Sequence, residues 1–260
     1  MNKKFAILVL SCDKYSSLWK PFFRQFHKYW PDCPYKIYLG SESLVYYEDK
    51  KIRTLKSNKL QDWSTRLLAI LNQIKEEYIF IWLDDIFLID NVDTKLFQDC
   101  IDFIAQSKGN HIHFGPNLPP DGICSNKQFG YFEKGAPYRV STVGFWDRNH
   151  LKQILLPGEN PWQFEIFGSY RSSYSEGYYN VRRNLFPFIQ LIERGKIFLE
   201  AYEYCQRHQI ELDLRDWKIH SKLHKIRSDF IRLVFRIIIK IPWKKRVLIM
   251  NIFRKMFASY

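Results

Sequence analysis

Two adjacent carboxylates, Asp84 and Asp85, interrupt an apolar run over residues 78–89 that reads YIFIWL before them and IFLI after them. Burying an ionised carboxylate costs several kcal/mol unless it is paired or holds a metal. A strand ending in such a pair therefore delivers the charges to a crevice at its carboxyl end, where α/β folds place ligands. Hard oxygen donors with no Cys or His beside them suit Mg²⁺ or Mn²⁺, the ions that accompany phosphates. One Asp would then coordinate the ion and the other would contact the ion's water or a ribose hydroxyl. The plain alternative is a solvated or helix-capping acid pair, but the immediate return to Ile86-Phe87-Leu88-Ile89 fits a surface turn poorly.

Glu165 lies among Trp162, Phe164, Ile166 and Phe167. A carboxyl in such a pocket is desolvated, which raises its pKa toward the range useful to a general base. The competing reading is an exposed acid on the polar face of a short helix. Arg171, with Ser169 and Ser172, could grip a phosphate through its forked guanidinium, or be an ordinary surface cation. Asp13, after the first strand, and Asp62, before a long helix, could reach a nucleotide's base or ribose; each could equally cap a helix. His111 and His113 alternate on one strand and share a face, but no third soft ligand is spaced to join them. His220 and His224 have helical spacing without an HExxH glutamate, so zinc is discounted. GxSxG, GxGxxG and GxxxxGK[ST] are all absent, which removes the main signatures of serine hydrolases, Rossmann dehydrogenases and P-loop ATPases.

The elements that must position these groups alternate in type. Residues 4–10, 35–39, 51–55, 78–83, 111–115 and 140–146 read as strands, the second stopped by Gly40-Ser41. Helical patterns cover 18–30, a stretch from Ser64 (its expected N-cap) with Leu67, Leu68, Leu71 and Ile74 at helical spacing, then 93–107, 149–155, 186–194 and 198–206. Residues 116–138 read as loop and 168–172 as a polar stretch. This order predicts an α/β domain over 1–215 with a mainly parallel central sheet flanked by helices, followed by a tail over 216–260.

The 260 residues are 46% hydrophobic and 17% aromatic, which excludes a disordered chain. Five scattered cysteines without CxxC spacing read as reduced thiols of a cytosolic protein. The beginning, Met1-Asn2-Lys3-Lys4 and six apolar residues, imitates a signal peptide, but reads better as the first strand. Of the net charge of +13, +8 falls in residues 226–260. There Arg232, Arg236 and Lys240 recur every four residues beside a broad apolar face, and Pro242 separates a second amphipathic piece. No run reaches the ~18 uncharged apolar residues that span a bilayer. The stripe suits an anionic membrane interface over 226–257; packing on the domain itself or on a partner is the alternative.

Trp63-Ser64 with Arg66-Leu67-Leu68, Leu83-Asp84-Asp85-Ile86-Phe87-Leu88, and Trp162-Gln163-Phe164-Glu165 with Gly168-Ser169 resemble GT-A-type bacterial glycosyltransferases of surface-polysaccharide biosynthesis, over about residues 4–205. The resemblance implies a GT-A-like fold, a nucleotide-sugar donor, and a glycan or lipid-linked acceptor. It implies Mn²⁺ or Mg²⁺ on Asp85, with Asp84 near the donor ribose and sharing the ion's surroundings, and Glu165 as acceptor-side base. This chain has adjacent acids where that family spaces them as DxD. The expected protein is a peripheral enzyme on the cytoplasmic face of the cell membrane, with a direct, inverting displacement as the simpler chemistry. Nucleic-acid binding through the basic, aromatic-rich tail, and a non-catalytic scaffold of an assembly complex, are the competing classes. The concentration of cations in an apolar-rich tail argues against a nucleic-acid partner.

Overall fold

The computed structural model describes residues 4–116, 118–193, 195–213 and 217–257, without the side chains of 222–224, 227, 231, 250–251 and 253–257. Met1–Lys3, the expected boundary at 215/216, and the side chains of His224, Arg227, Arg254 and Lys255 lie outside the described residues.

The chain begins β1 (Phe5–Leu10), α1 (Ser16–Tyr29), β2 (Lys36–Ser41), β3 (Ile52–Lys56), α2 (Trp63–Leu71), β4 (Tyr78–Leu83), β5 (Ile86–Leu88), α3 (Thr94–Gln106) and β6 (His111–His113). It continues with β7 (Gly122–Ile123), β8 (Phe129–Tyr131), β9 (Gly144–Asp147), α4 (Arg148–Ile154), α5 (Pro161–Arg171) and β10 (Tyr178–Val181). The last elements are β11 (Phe188–Gln190), β12 (Ile192–Glu193), β13 (Lys196–Ile197), α6 (Leu199–Arg207), β14 (Lys218–Ile219), α7 (Lys222–Ile238) and α8 (Trp243–Phe257).

Nine strands form one sheet in the order β3-β2-β1-β4-β9-β6-β10-β8-β7. β1 pairs in parallel with β2 and β4, and β9 enters antiparallel between β4 and β6. β8 also runs against its neighbours, so the other seven strands share one direction. β1 is buried along its whole length, as its unbroken apolar sequence requires when both faces of the sheet are covered. One face carries α1 and α3 through Phe22, Phe26, Phe97 and Ile101; the other carries α2, α4 and α5 through Leu67, Leu71, Leu151 and Phe164.

The expected α/β architecture is present, and several local readings change. β2 runs through Gly40 and Ser41, because Gly40 lets α2 approach closely: a Cβ there would lie 2.9 Å from Ile70 Cδ1. Asp62, not Ser64, caps α2, accepting from the Thr65 amide at 2.9 Å. Residues 116–138 contain the β7–β8 hairpin, 140–143 precede rather than form β9, and 168–171 complete α5. Of the segment expected as helix over 186–194, the described residues to 193 form β11 and β12 instead, and Arg194 lies outside them: β11 pairs with β5 just beyond the acid pair, a partner that helical periodicity cannot reveal.

The tail is two helices in contact with the body. Arg232 pairs with Glu200 at 3.6 Å, Lys244 pairs with Glu133, and Trp243 packs partly buried on the second core. Ile226, Phe230, Leu233, Phe235 and Ile237 of α7, and Leu248 and Ile252 of α8, stay exposed. Among the described residues no helix is long and apolar enough to cross a membrane.

Candidate active site

β4 ends at Leu83, and the chain reverses over Asp84-Asp85 into β5. Trp82 closes that reversal by donating from Nε1 to the Ile86 carbonyl at 2.9 Å, and its ring stacks on Phe186 at 4.2 Å. The corner is thus fixed by core packing, and the two acids are held at the carboxyl edge of the sheet. Both face a cleft of about 720 Å³ and both are buried, at 4% and 7% exposure.

Asp84 is oriented from the end of β1, where the Ser11 hydroxyl donates to its Oδ2. Trp19 Nε1 donates to Ser11 Oγ at 2.7 Å from α1 behind it. Asp85 is oriented from the opposite side: its carbonyl accepts from Leu191 at 2.7 Å, and its carboxyl meets the Gln190 side chain and the Ile192 amide. Burial raises the Asp84 carboxyl well above its ordinary value, and the charge of Asp85 adds to this. Burial lifts Asp85 to about 6 against these hydrogen bonds. Burial and the two aspartates together also push up the Tyr15 phenol on the cleft wall. Neither aspartate forms an ion pair with a described residue.

That arrangement fits a divalent cation. Among the described residues no group of three or more His, Cys, Asp or Glu could hold a metal, so a full protein cage is absent. Mg²⁺ and Mn²⁺ need none: one or two carboxylates suffice when water and substrate phosphates complete the shell. Asp84 and Asp85 would hold the ion.

Glu165 reaches the same cleft from α5. Asn160 starts that helix with a capping box, its Oδ1 accepting from the Gln163 amide at 2.9 Å while its own amide donates to Gln163 Oε1 at 3.0 Å. Trp162 therefore stands on the first turn at the cleft mouth, 63% exposed, with Glu165 less than one turn further in. The segment before β9 then clamps one face of the helix. Thr142 donates its amide to Glu165 Oε1 at 2.8 Å, Val140 donates to Ser169 Oγ at 3.1 Å, and Arg139 donates from Nε to Ser172 Oγ at 3.1 Å. Arg139 is fully buried, lies 3.9 Å over the Tyr178 ring, and also binds the Glu133 carbonyl at 3.0 Å. Burial raises the Glu165 carboxyl, and the Thr142 hydrogen bond only partly offsets it.

Asp84, Asp85 and Glu165 all line the cleft, while Asp13, Asp62 and Arg171 do not. Each of these three is spent on structure. Asp13 accepts from the Ser43 and Leu44 amides at 2.9 and 3.1 Å. Asp62 accepts from the amide and the hydroxyl of Thr65. Arg171 makes a bidentate pair with Glu159 at 2.6 Å and donates to the Ile154 carbonyl. Cations do face the cleft from elsewhere: Lys14 on the turn after β1, and Arg66 on α2, paired with Glu42 and with its buried Nε free of a described protein partner. Trp63, Phe114 and Phe188 supply aromatic wall, and the β12–β13 hairpin, turned at Gly195 with φ +75°, overhangs one side. His111 is buried against Trp146 and His113 half-buried beside Phe132, and desolvation depresses both.

No protein-family model and no curated protein matches the chain. In structure it is similar to residues 1-349 of S. aureus TarS in complex with UDP, at 12% identity over 71% of this chain and 59% of that one, with a TM-score of 0.47. It is similar to a cytidylyltransferase from Leptospira borgpetersenii at 10% identity, over 79% and 95% of the two chains, with a TM-score of 0.43. An active-site variant of LgtC matches at 9% identity over 76% and 77%, with a TM-score of 0.41. The chain spans 59% of the length of the UDP-bound TarS fragment.

Proposed function

We propose that the cleft transfers a sugar from a nucleotide-sugar donor to a hydroxyl of a glycan or lipid-linked acceptor, with inversion at the anomeric carbon. The observation that carries this reading is the buried Asp84–Asp85 pair, without an ion pair to any described residue, in one cleft with a desolvated glutamate. Asp84 and Asp85 would hold a divalent ion, which would neutralise charge developing on the departing diphosphate. Lys14 and Arg66 face the same space and suit the outer phosphate oxygens. Glu165 removes the proton from the acceptor hydroxyl as its oxygen bonds to the anomeric carbon and the nucleoside diphosphate leaves. The Thr142 amide holds one carboxylate oxygen of Glu165 and leaves the other for that proton. Trp162, at the mouth, offers a ring face to an acceptor sugar.

A thermal-shift screen of UDP-, GDP-, CMP- and dTDP-sugars with and without Mn²⁺ tests the reading. One donor should stabilise the protein in a metal-dependent manner, with the effect lost in Asp85→Asn; stabilisation by none of them sinks it.

The tail supports a place on an anionic membrane surface, where the exposed apolar residues of α7 enter the interface and Arg236, Lys240 and Lys245 meet lipid headgroups. At ~1 kcal/mol per surface cation, replacing these three by Gln should weaken binding to vesicles containing phosphatidylserine on the order of 100-fold. Binding that survives the triple change would remove the tail from this role.

A further inference from the structure

A second concavity, of about 500 Å³, lies apart from the cleft and is lined by Lys95, Asp99, Lys127, Gln128, Arg182 and Arg183. Its cations come from three places in the chain: α3, the β7–β8 connection, and the segment leaving β10. Folding therefore gathers four positive charges around one carboxylate, against their mutual repulsion. Some surface cations meet acids, as in Lys20–Glu48 at 3.0 Å and Lys134–Glu176 at 2.9 Å. Here Arg183 alone does so, to Asp93 at 3.3 Å; Lys95, Lys127 and Arg182 form no ion pair with a described residue. Arg182 is held by its bond to the Lys127 carbonyl at 2.9 Å, which fixes two of the cationic segments together and leaves guanidinium donors unused. A concave, one-signed site focuses potential on an oxyanion, and this one has room for more than a bare phosphate.

Its position gives it reach. β10 lies three strands from β4 in the sheet and runs parallel to it, so its carboxyl end shares the edge that carries Asp84 and Asp85. Three strand spacings put the two sites ~14 Å apart along that edge. From Arg183 the same segment continues to Phe188 and Gln190, which line the cleft.

We infer that this concavity binds a phosphoryl oxyanion, either a phosphate monoester or inorganic phosphate, or a phosphodiester carried on a chain that also reaches the cleft. The test is an amide NMR titration of the isotopically labelled full chain with inorganic phosphate, in low-salt buffer with a chelator, where the carboxylate-lined cleft has no metal to attract an anion. Saturable shifts are expected at Gln128, Arg182 and Arg183. The Lys127→Gln/Arg182→Gln double variant should weaken these at least tenfold while its amide spectrum away from the concavity stays that of the wild type. Lys95→Gln, at an exposed position, should weaken them about threefold if the double variant proves unstable. Shifts confined to the tail helices, or an unchanged affinity in both variants, overturn the inference. Dimethyl phosphate then separates the sources: competition equal to inorganic phosphate assigns the site to a chain-borne diester, and failure to compete assigns it to a free or terminal phosphate.

Discussion

Two buried acidic sites bracket β4, and they are built in opposite ways. Glu76, just before the strand, is 2% exposed and meets Lys36 Nζ at 2.7 Å and the Tyr38 hydroxyl at 3.1 Å. Burial pushes its carboxyl up, yet these bonds outweigh it and hold the group below its ordinary value. Asp84 and Asp85, just after the strand, are buried to a similar degree, receive only neutral hydrogen bonds, and are raised. A carboxylate that serves the fold is given its counter-charge by the chain. Asp84 and Asp85, with no ion pair to a described residue, bear the cost of burial without such a counter-charge.

The sharpest way to break this comparison is Asp85→Asn. Loss of the cation site should lower transfer by about 10³-fold, equivalent to ~4 kcal/mol. Thermal unfolding in chelator should meanwhile show a gain of ~1–3 kcal/mol, because a buried charge has gone. A variant that loses both stability and activity would make Asp85 a structural acid like Glu76. Next in size, Glu165→Gln should cost on the order of 10²-fold in kcat. A base raised by burial must lose its proton to work, so wild-type activity should fall as pH drops through a value above the ordinary carboxylate range. With the Asp84–Asp85 site saturated with Mn²⁺ at every pH, that acid limb should vanish in the variant; its persistence would assign the limb elsewhere.

Smaller effects sharpen the contrast. Mn²⁺ at about 100 times its dissociation constant should stabilise the wild type by ~2.7 kcal/mol and Asp85→Asn hardly at all, as scanning calorimetry would read. Glu76→Gln should cost about 1–2 kcal/mol and leave kcat unchanged. The sign with pH also differs between the sites. Glu76, depressed in the fold, adds stability above its unfolded pKa, and that stability is lost as pH falls through the depressed value. The difference between wild type and Glu76→Gln should therefore shrink on acidification; a difference that grows would reverse the assignment.

What the sequence made legible follows from local physics. An apolar strand broken by two acids is visible without coordinates, and so is a glutamate among aromatics, since burial of charge is costly wherever it occurs. Asp62 and Arg171 show the limit: the same oxygens and guanidinium nitrogens serve a cap or an ion pair as readily as a ligand, and neighbouring residues do not say which. Lys14 and Gln190 gave no local signal, because only the register of distant segments brings them to one cleft. The segment over 186–194 failed for a related reason. Its Phe, Ile and Leu residues satisfy either periodicity over so short a span, and the partner that makes it extended, β5, is about 100 residues earlier.

The antiparallel entry of β9 also sets a timetable. Ile81 of β4 pairs with Gly144, so the clamp that holds Glu165 meets the Asp84–Asp85 corner only after a loop of some 60 residues has closed. The local β1–β2–β3 unit can precede it, because its pairings span shorter loops. A nascent or partly unfolded chain therefore carries its acids and its glutamate far apart. The cleft exists only once such distant segments have met, and the local pairings alone do not form it.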